Sequence, residues 1–181
     1  MSSEIPTERE QVTEAYALVG AVSTGFATLE FHLQFILVLL ITSKEASPEA
    51  FVTLRERQFS QKIRLLKDLI ILRTPQKSDL RTKGNQLVKR LDALRETRNL
   101  YIHGYWLINY PLLLSTGGVR CSDTRWRFDK KTEAWTTMET HDIALSILRN
   151  QIAETGELYK ELHSYNALIR DYLSESNKKQ T

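Results

Sequence analysis

Apolar residues recur along this chain at alternating steps of three and four, the period of a helix that buries one face. Leu18, Val22, Gly25, Leu29, Leu33, Ile36 and Leu40 make the first such stripe. Thr7-Glu8-Arg9-Glu10 ahead of it has the form of a capping box, with Thr7 as cap and Glu10 reaching back, and the helix should run to about Thr42. Ser47-Pro48-Glu49 marks another start, with Ser as cap and Pro in the first turn. Phe59, Ile63, Leu66 and Ile70 carry the second main helix, which stops near Thr74-Pro75. Ser78-Asp79 opens the third, whose stripe is Leu87, Leu91, Leu94, Arg98, Tyr101 and Tyr105. Pro111 ends the helical possibility there, and Ser115-Thr116-Gly117-Gly118 reads as a turn. Thr140 caps a last helix with the stripe Ile143, Ile147, Ile152, Tyr159, Leu162, Ile169 and Leu173.

Between the third and last helices the period changes. Val119 to Phe128 is β-prone, and Asp129-Lys130-Lys131-Thr132 makes a hairpin turn before Ala134-Trp135-Thr136. The fold class is therefore mainly α: an up-down bundle of about four main helices with a β-hairpin inserted between the third and fourth. No repeat or composition shift divides the chain, so residues 1–181 read as a single domain, with 107–138 as the insertion and 174–181 as a frayed polar tail.

Composition narrows the classes. The 41% hydrophobic content of these 181 residues suits a globular core. Net charge is only +3, although the pI is about 9.0, so any affinity for nucleic acid must come from local clustering. A single cysteine, Cys121, leaves no internal disulfide and no Cys-based zinc site, and fits a reducing cytoplasm. The apolar stretch Phe26 to Ile41 is short for a membrane span and carries Glu30, His32 and Gln34, so no membrane association is expected. Met1 to Pro6 has no basic region followed by an apolar core, which argues against a secretory signal.

The chemistry concentrates in Arg98-Asn99-Leu100-Tyr101-Ile102-His103-Gly104-Tyr105. Arginine supplies a planar cationic fork for phosphate, and histidine exchanges protons near neutral pH. A phosphate clamp beside a proton shuttle is what RNA cleavage by an internal 2′-hydroxyl needs. With 14 Arg and 4 His in 181 positions, Arg-x4-His is expected by chance ~0.3 times, and a Tyr two residues after the His lowers that to ~0.01. On an ideal helix Arg98 and His103 flank a groove rather than stack. Asn99 and His103 are one turn apart, placing the amide to hold one imidazole nitrogen, and Tyr105 returns to the Arg98 face.

On these residues the chain resembles the HEPN superfamily, whose signature is Arg, four to six residues, then His on the third helix of a small bundle. The resemblance implies a HEPN-like bundle that acts as a homodimeric, metal-independent endoribonuclease without cofactors, with both copies of the motif facing one cleft. It assigns phosphate binding to Arg98, proton transfer to His103, orientation of the imidazole to Asn99 and a lining role to Tyr105. Products would be a 2′,3′-cyclic phosphate and a 5′-hydroxyl. The His103-x-Tyr105 extension also matches toxins of this superfamily that pair with a nucleotidyltransferase antitoxin, which implies a cytoplasmic toxin–antitoxin or phage-defence role. The long first helix and the 107–138 insertion depart from those compact toxins. A non-catalytic HEPN-like module that binds a nucleotide or a protein through the same groove is the other function that the resemblance allows.

Other residues carry lesser signals. Glu30 and His32 in an apolar helix invite a functional reading, but pairing of Glu30 with Lys62 or Arg98 accounts for the carboxylate structurally. His141 and His163 read as helix-surface residues. Arg120, Arg125, Arg127, Lys130 and Lys131 with Trp126 form either an RNA-contacting hairpin of cations and a stacking ring or a solvated basic hairpin.

Overall fold

A computed structural model describes residues 7–43, 47–76, 78–123, 127–129, 134–136 and 139–178. Its helices are α1 (Glu8–Thr42), α2 (Pro48–Arg55), α3 (Phe59–Arg73), α4 (Asp79–His103), α5 (Tyr110–Thr116) and α6 (Leu145–Lys178). Its strands are β1 (Gly104–Leu107), β2 (Gly118–Asp123), β3 (Arg127–Asp129), β4 (Ala134–Thr136) and β5 (Thr140–Ala144). The protein is mainly α-helical with a small β component, as its periodicity requires. Two compact units form, one from Met1–Gly25 with Thr97–Glu154, the other from Phe26–Glu96 with Thr155–Thr181.

Within the second unit, one stretch of α1 is enclosed on all sides: Ile36, Leu37, Val38, Leu39 and Leu40 are buried in succession, whereas Phe31 and Ile41 are exposed. This apolar helix is long enough to cross a membrane by length and composition, yet Ile36 to Leu40 are buried inside the protein. Each Leu or Ile so buried contributes ~1.5–3 kcal/mol. Phe59, Ile63, Leu66 and Ile70 of α3 and Leu87, Leu91 and Leu94 of α4 join that core, as their spacing predicts. Glu30 pairs with the nearly fully buried Lys62 across 2.7 Å, so the apolar helix's carboxylate is a structural partner of α3. At the start of α1, Glu10 Oε2 accepts from the Thr7 amide at 2.7 Å, closing the capping box read from the sequence.

The first unit holds the sheet. β1, β2 and β5 form a three-stranded antiparallel sheet in the order β1-β2-β5, while β3 and β4 pair as a separate hairpin. Several expectations change here. Residues 140–144 form β5, with Ile143 opposite Val119, so the last helix begins at Leu145 rather than Thr140. Pro111 starts a helix instead of ending one: it lies in the first turn of α5, where its missing N–H costs nothing, and Asn109 Oδ1 caps the Leu112 amide at 2.9 Å. The stripe of α6 is Leu148, Gln151, Thr155, Leu158, Leu162, Tyr165 and Ile169, and Ile147 is half exposed. Two polar residues in that buried seam displaced the apolar reading by a residue. The polar tail stays helical to Lys178.

Candidate active site

The motif closes α4. Helices leave their last carbonyls without intrahelical partners, and here the sheet supplies them. Cys121 Sγ on β2 lies 3.7 Å from the Leu100 carbonyl oxygen, and Trp106 Nε1 on β1 donates to the Tyr101 carbonyl at 3.1 Å. The Trp106 ring packs against buried Tyr101 with centroids 5.3 Å apart. Gly104 makes the passage from helix to strand, opposite Asp123. A Cβ on Gly104 would sit 2.3 Å from Cys121 Sγ and 2.4 Å from the Leu100 carbonyl oxygen, so only glycine fits between them.

This junction fixes the side chains of the last turn. Arg98 Nη1 lies 3.1 Å from Asn99 Oδ1 and 3.3 Å from His103 Nε2. A guanidinium has only donors, so in this contact Nε2 is the acceptor. Arg98 is half-buried, with Nε inside the protein, while His103 is exposed. The sequence reading put Arg98 and His103 on either side of a groove with Asn99 holding the imidazole. Instead the two side chains meet, and Arg98 stands between the amide and the ring. The cation in the stripe thereby meets two acceptors of its own helical turn.

Tyr105 is not on the Arg98 face of α4. The helix ends at His103, so Tyr105 lies on β1 opposite Ser122, 64% exposed. Arg120 makes a two-point contact with Asp142 across β2 and β5, at 2.7 and 3.0 Å, which holds the Asp142 carboxyl below the usual range. The backbone of Arg127 begins β3, but its side chain and Arg125, Trp126, Lys130 and Lys131 lie outside the described residues.

Sequence reasoning missed the positioning set of Gly104, Trp106 and Cys121. A glycine directly after the motif histidine was the available signal. Burial, and then nearby Asp123, push the Cys121 thiol up to about 11, so it is a protonated packing group rather than a nucleophile at neutral pH. Burial likewise raises the Tyr101 phenol, keeping it protonated. His141 is exposed on β5, not on a helix. Among the described residues no three His, Cys, Asp or Glu side chains gather into a metal site. Clefts of about 1060, 660 and 290 Å³ in the second unit include none of Arg98, Asn99, His103 or Tyr105 in their linings. No protein-family profile, curated protein or solved structure matches this chain.

Proposed function

We propose that the protein is a HEPN-type, metal-independent endoribonuclease that cuts RNA by attack of an internal 2′-hydroxyl. The observation that carries this reading is the contact of Arg98 Nη1 with His103 Nε2 at 3.3 Å beside the Asn99 amide. An exposed imidazole whose Nε2 accepts a hydrogen bond suits proton transfer, and the adjacent guanidinium suits phosphate binding. A scissile phosphate would draw Arg98 away from Nε2 and leave that nitrogen facing the 2′-hydroxyl.

In the reaction His103 accepts the 2′-hydroxyl proton as the 2′-oxygen bonds to phosphorus, and Arg98 stabilises the added negative charge. The bond from phosphorus to the 5′-oxygen then breaks, and that oxygen takes a proton from an imidazolium. One histidine cannot sit on both sides of phosphorus at once, so a homodimer supplies His103 twice, one as base and one as acid. Tyr105, exposed on β1, serves as a lining group from the strand rather than from the helix. A cytoplasmic toxin–antitoxin or phage-defence setting, with a nucleotidyltransferase antitoxin as partner, is the biological counterpart of this chemistry.

The test is incubation of the protein with single-stranded RNA, with and without EDTA, followed by mass analysis of the ends. Cleavage should persist in EDTA, yield 2′,3′-cyclic phosphate and 5′-hydroxyl ends, and vanish both in His103→Ala and on a substrate with 2′-deoxy at the cut site. If His103→Ala cuts as well as the parent, the catalytic reading fails. Binding without cleavage would make the protein an interaction module using the same residues.

A further inference from the structure

The 1060 Å³ cleft lies between α3 and the part of α4 that belongs to the second unit. Its charged lining is Arg64 and Lys67 from α3 and Arg81, Lys89, Asp92 and Arg95 from α4. Five cations against one carboxylate leave a local excess of +4, larger than the +3 of the entire chain, so the rest of the protein is net −1. The cationic charge is thus gathered, not scattered. Two of these side chains are held in place: Arg81 Nη2 donates to the Ile71 carbonyl at 2.8 Å, and Arg95 pairs with Asp92 at 3.2 Å. Arg64, Lys67 and Lys89 are exposed and pair with no carboxylate among the described residues.

The neighbouring cleft of about 660 Å³, between α4 and α6, is less strongly cationic. There Arg90 pairs with Glu161 and Lys160 with Glu157, so with Lys83 and the shared Lys89 the lining carries four cations against two carboxylates, an excess of +2. The α3–α4 cleft carries twice that excess with a single carboxylate in its lining.

We propose that the α3–α4 cleft holds the sugar-phosphate backbone of a single-stranded nucleic acid. Cations line both walls, and Arg81, Lys89 and Arg95 stand ~12 and ~9 Å apart along α4 by helical rise. They are spaced along an extended polyanion rather than focused on one small anion. Ile63, Ile71 and Val88 supply aliphatic floor but no aromatic platform, so binding is by phosphate contact and tolerant of base sequence. A duplex presents its phosphates on a convex surface and would reach only the rim of this concave site. An acidic peptide offers the same charge; the choice of nucleic acid over peptide rests on the ribonuclease reading of the same chain.

Fluorescence anisotropy of the full chain with a labelled 12-nucleotide deoxythymidine strand tests this, because a strand without 2′-hydroxyls can bind but cannot be cut by the proposed chemistry. Replacing the exposed pair, Lys67→Gln with Lys89→Gln, should raise Kd at least tenfold at low salt. It should also flatten the slope of log K against log salt by about 1.4, since each single-strand phosphate contact contributes ~0.7. Circular dichroism should match the parent. An unchanged Kd and slope would overturn the proposal, as would tighter binding of a 12-base-pair duplex or equal binding of a poly-glutamate of the same charge. His103→Ala should bind this strand like the parent. If that variant still cleaves RNA, the ribonuclease reading falls while the cleft stands on its titration. If it stops cleaving while the lysine pair leaves binding untouched, the cleft falls and the chemistry stands.

Discussion

Arg98 and His103 touch: Nη1 of the guanidinium lies 3.3 Å from Nε2 of the imidazole, and the same nitrogen lies 3.1 Å from Asn99 Oδ1. One donor nitrogen therefore serves two acceptors from its own helical turn. A carboxylate at position 99 would add an ion pair to that nitrogen and compete with a phosphate for it.

That relationship predicts the effect of Asn99→Asp. A carboxylate beside Arg98 would form a charge-assisted pair and repel incoming phosphate. RNA cleavage kinetics should show KM raised at least tenfold, with the melting temperature equal to or above the parent's. Arg98→Lys should recover little activity, because an ammonium keeps the charge but lacks the planar fork. Asn99→Asp cleavage at parental KM would sink the assignment of phosphate binding to Arg98.

Gly104 governs where His103 points. A methyl group at Gly104 would meet Cys121 Sγ at 2.3 Å and the Leu100 carbonyl at 2.4 Å, and the second is backbone that cannot rotate away. Gly104→Ala should cost ~1–3 kcal/mol by chemical denaturation, as overpacking does. Its loss of cleavage should exceed what the unfolded fraction explains. The thiol reports on the junction: buried Cys121 should resist alkylation at pH 8 in the parent and become reactive in Gly104→Ala. Parental activity in this variant would mean that the helix-to-strand passage does not position the site.

The main helical core was legible because its chemistry is periodic. The α3 and α4 stripes appear in the sequence as they pack, since their buried positions up to Leu94 are almost all aliphatic. Legibility failed where a buried seam was polar, as at Gln151 and Thr155 of α6, and where strand pairing competed with helix. Thr140 can cap a helix, but the ladder of β5 with β2 claims residues 140–144 first. The motif was visible as residue types at a spacing, whereas its geometry was not. An ideal-helix argument separates Arg98 from His103, but long side chains in the last turn close that gap. Tyr105 was misassigned to the helix face because Gly104 was read as one more helical residue.

The Glu30–Lys62 pair gives a stability prediction. Lys62 is 2% exposed and Glu30 21%, so removing the carboxylate leaves an ammonium in the core with water reaching only its former partner. Glu30→Gln should destabilise the fold by roughly 2–4 kcal/mol, somewhat below the usual cost of breaking a fully buried pair. The double change Glu30→Gln with Lys62→Met should recover most of that loss, because it removes the stranded charge as well. Urea unfolding of the three proteins checks it; a double variant no more stable than Glu30→Gln would show that the pair is not what holds these helices in register.

His32 makes stability depend on pH on the acid side. Its ring stands edge-on to Tyr159, with centroids 4.7 Å apart, in a cleft shared with His163 and Arg170. Burial first, and then the charge of His163, hold its proton affinity below the ordinary value. Above about pH 6.5 both folded and unfolded chains carry a neutral ring, so His32 has no effect there. As pH falls through that value the unfolded chain takes the proton first, and stability is lost. The loss levels off once the pH drops below the folded-state value, where both states are charged. Thermal melts from pH 7.5 to 5 should therefore show a falling Tm in the parent and a smaller fall in His32→Phe, which keeps an aromatic ring against Tyr159 but cannot titrate. Parallel Tm profiles for the two proteins would assign the acid sensitivity to other groups and leave His32 as packing alone.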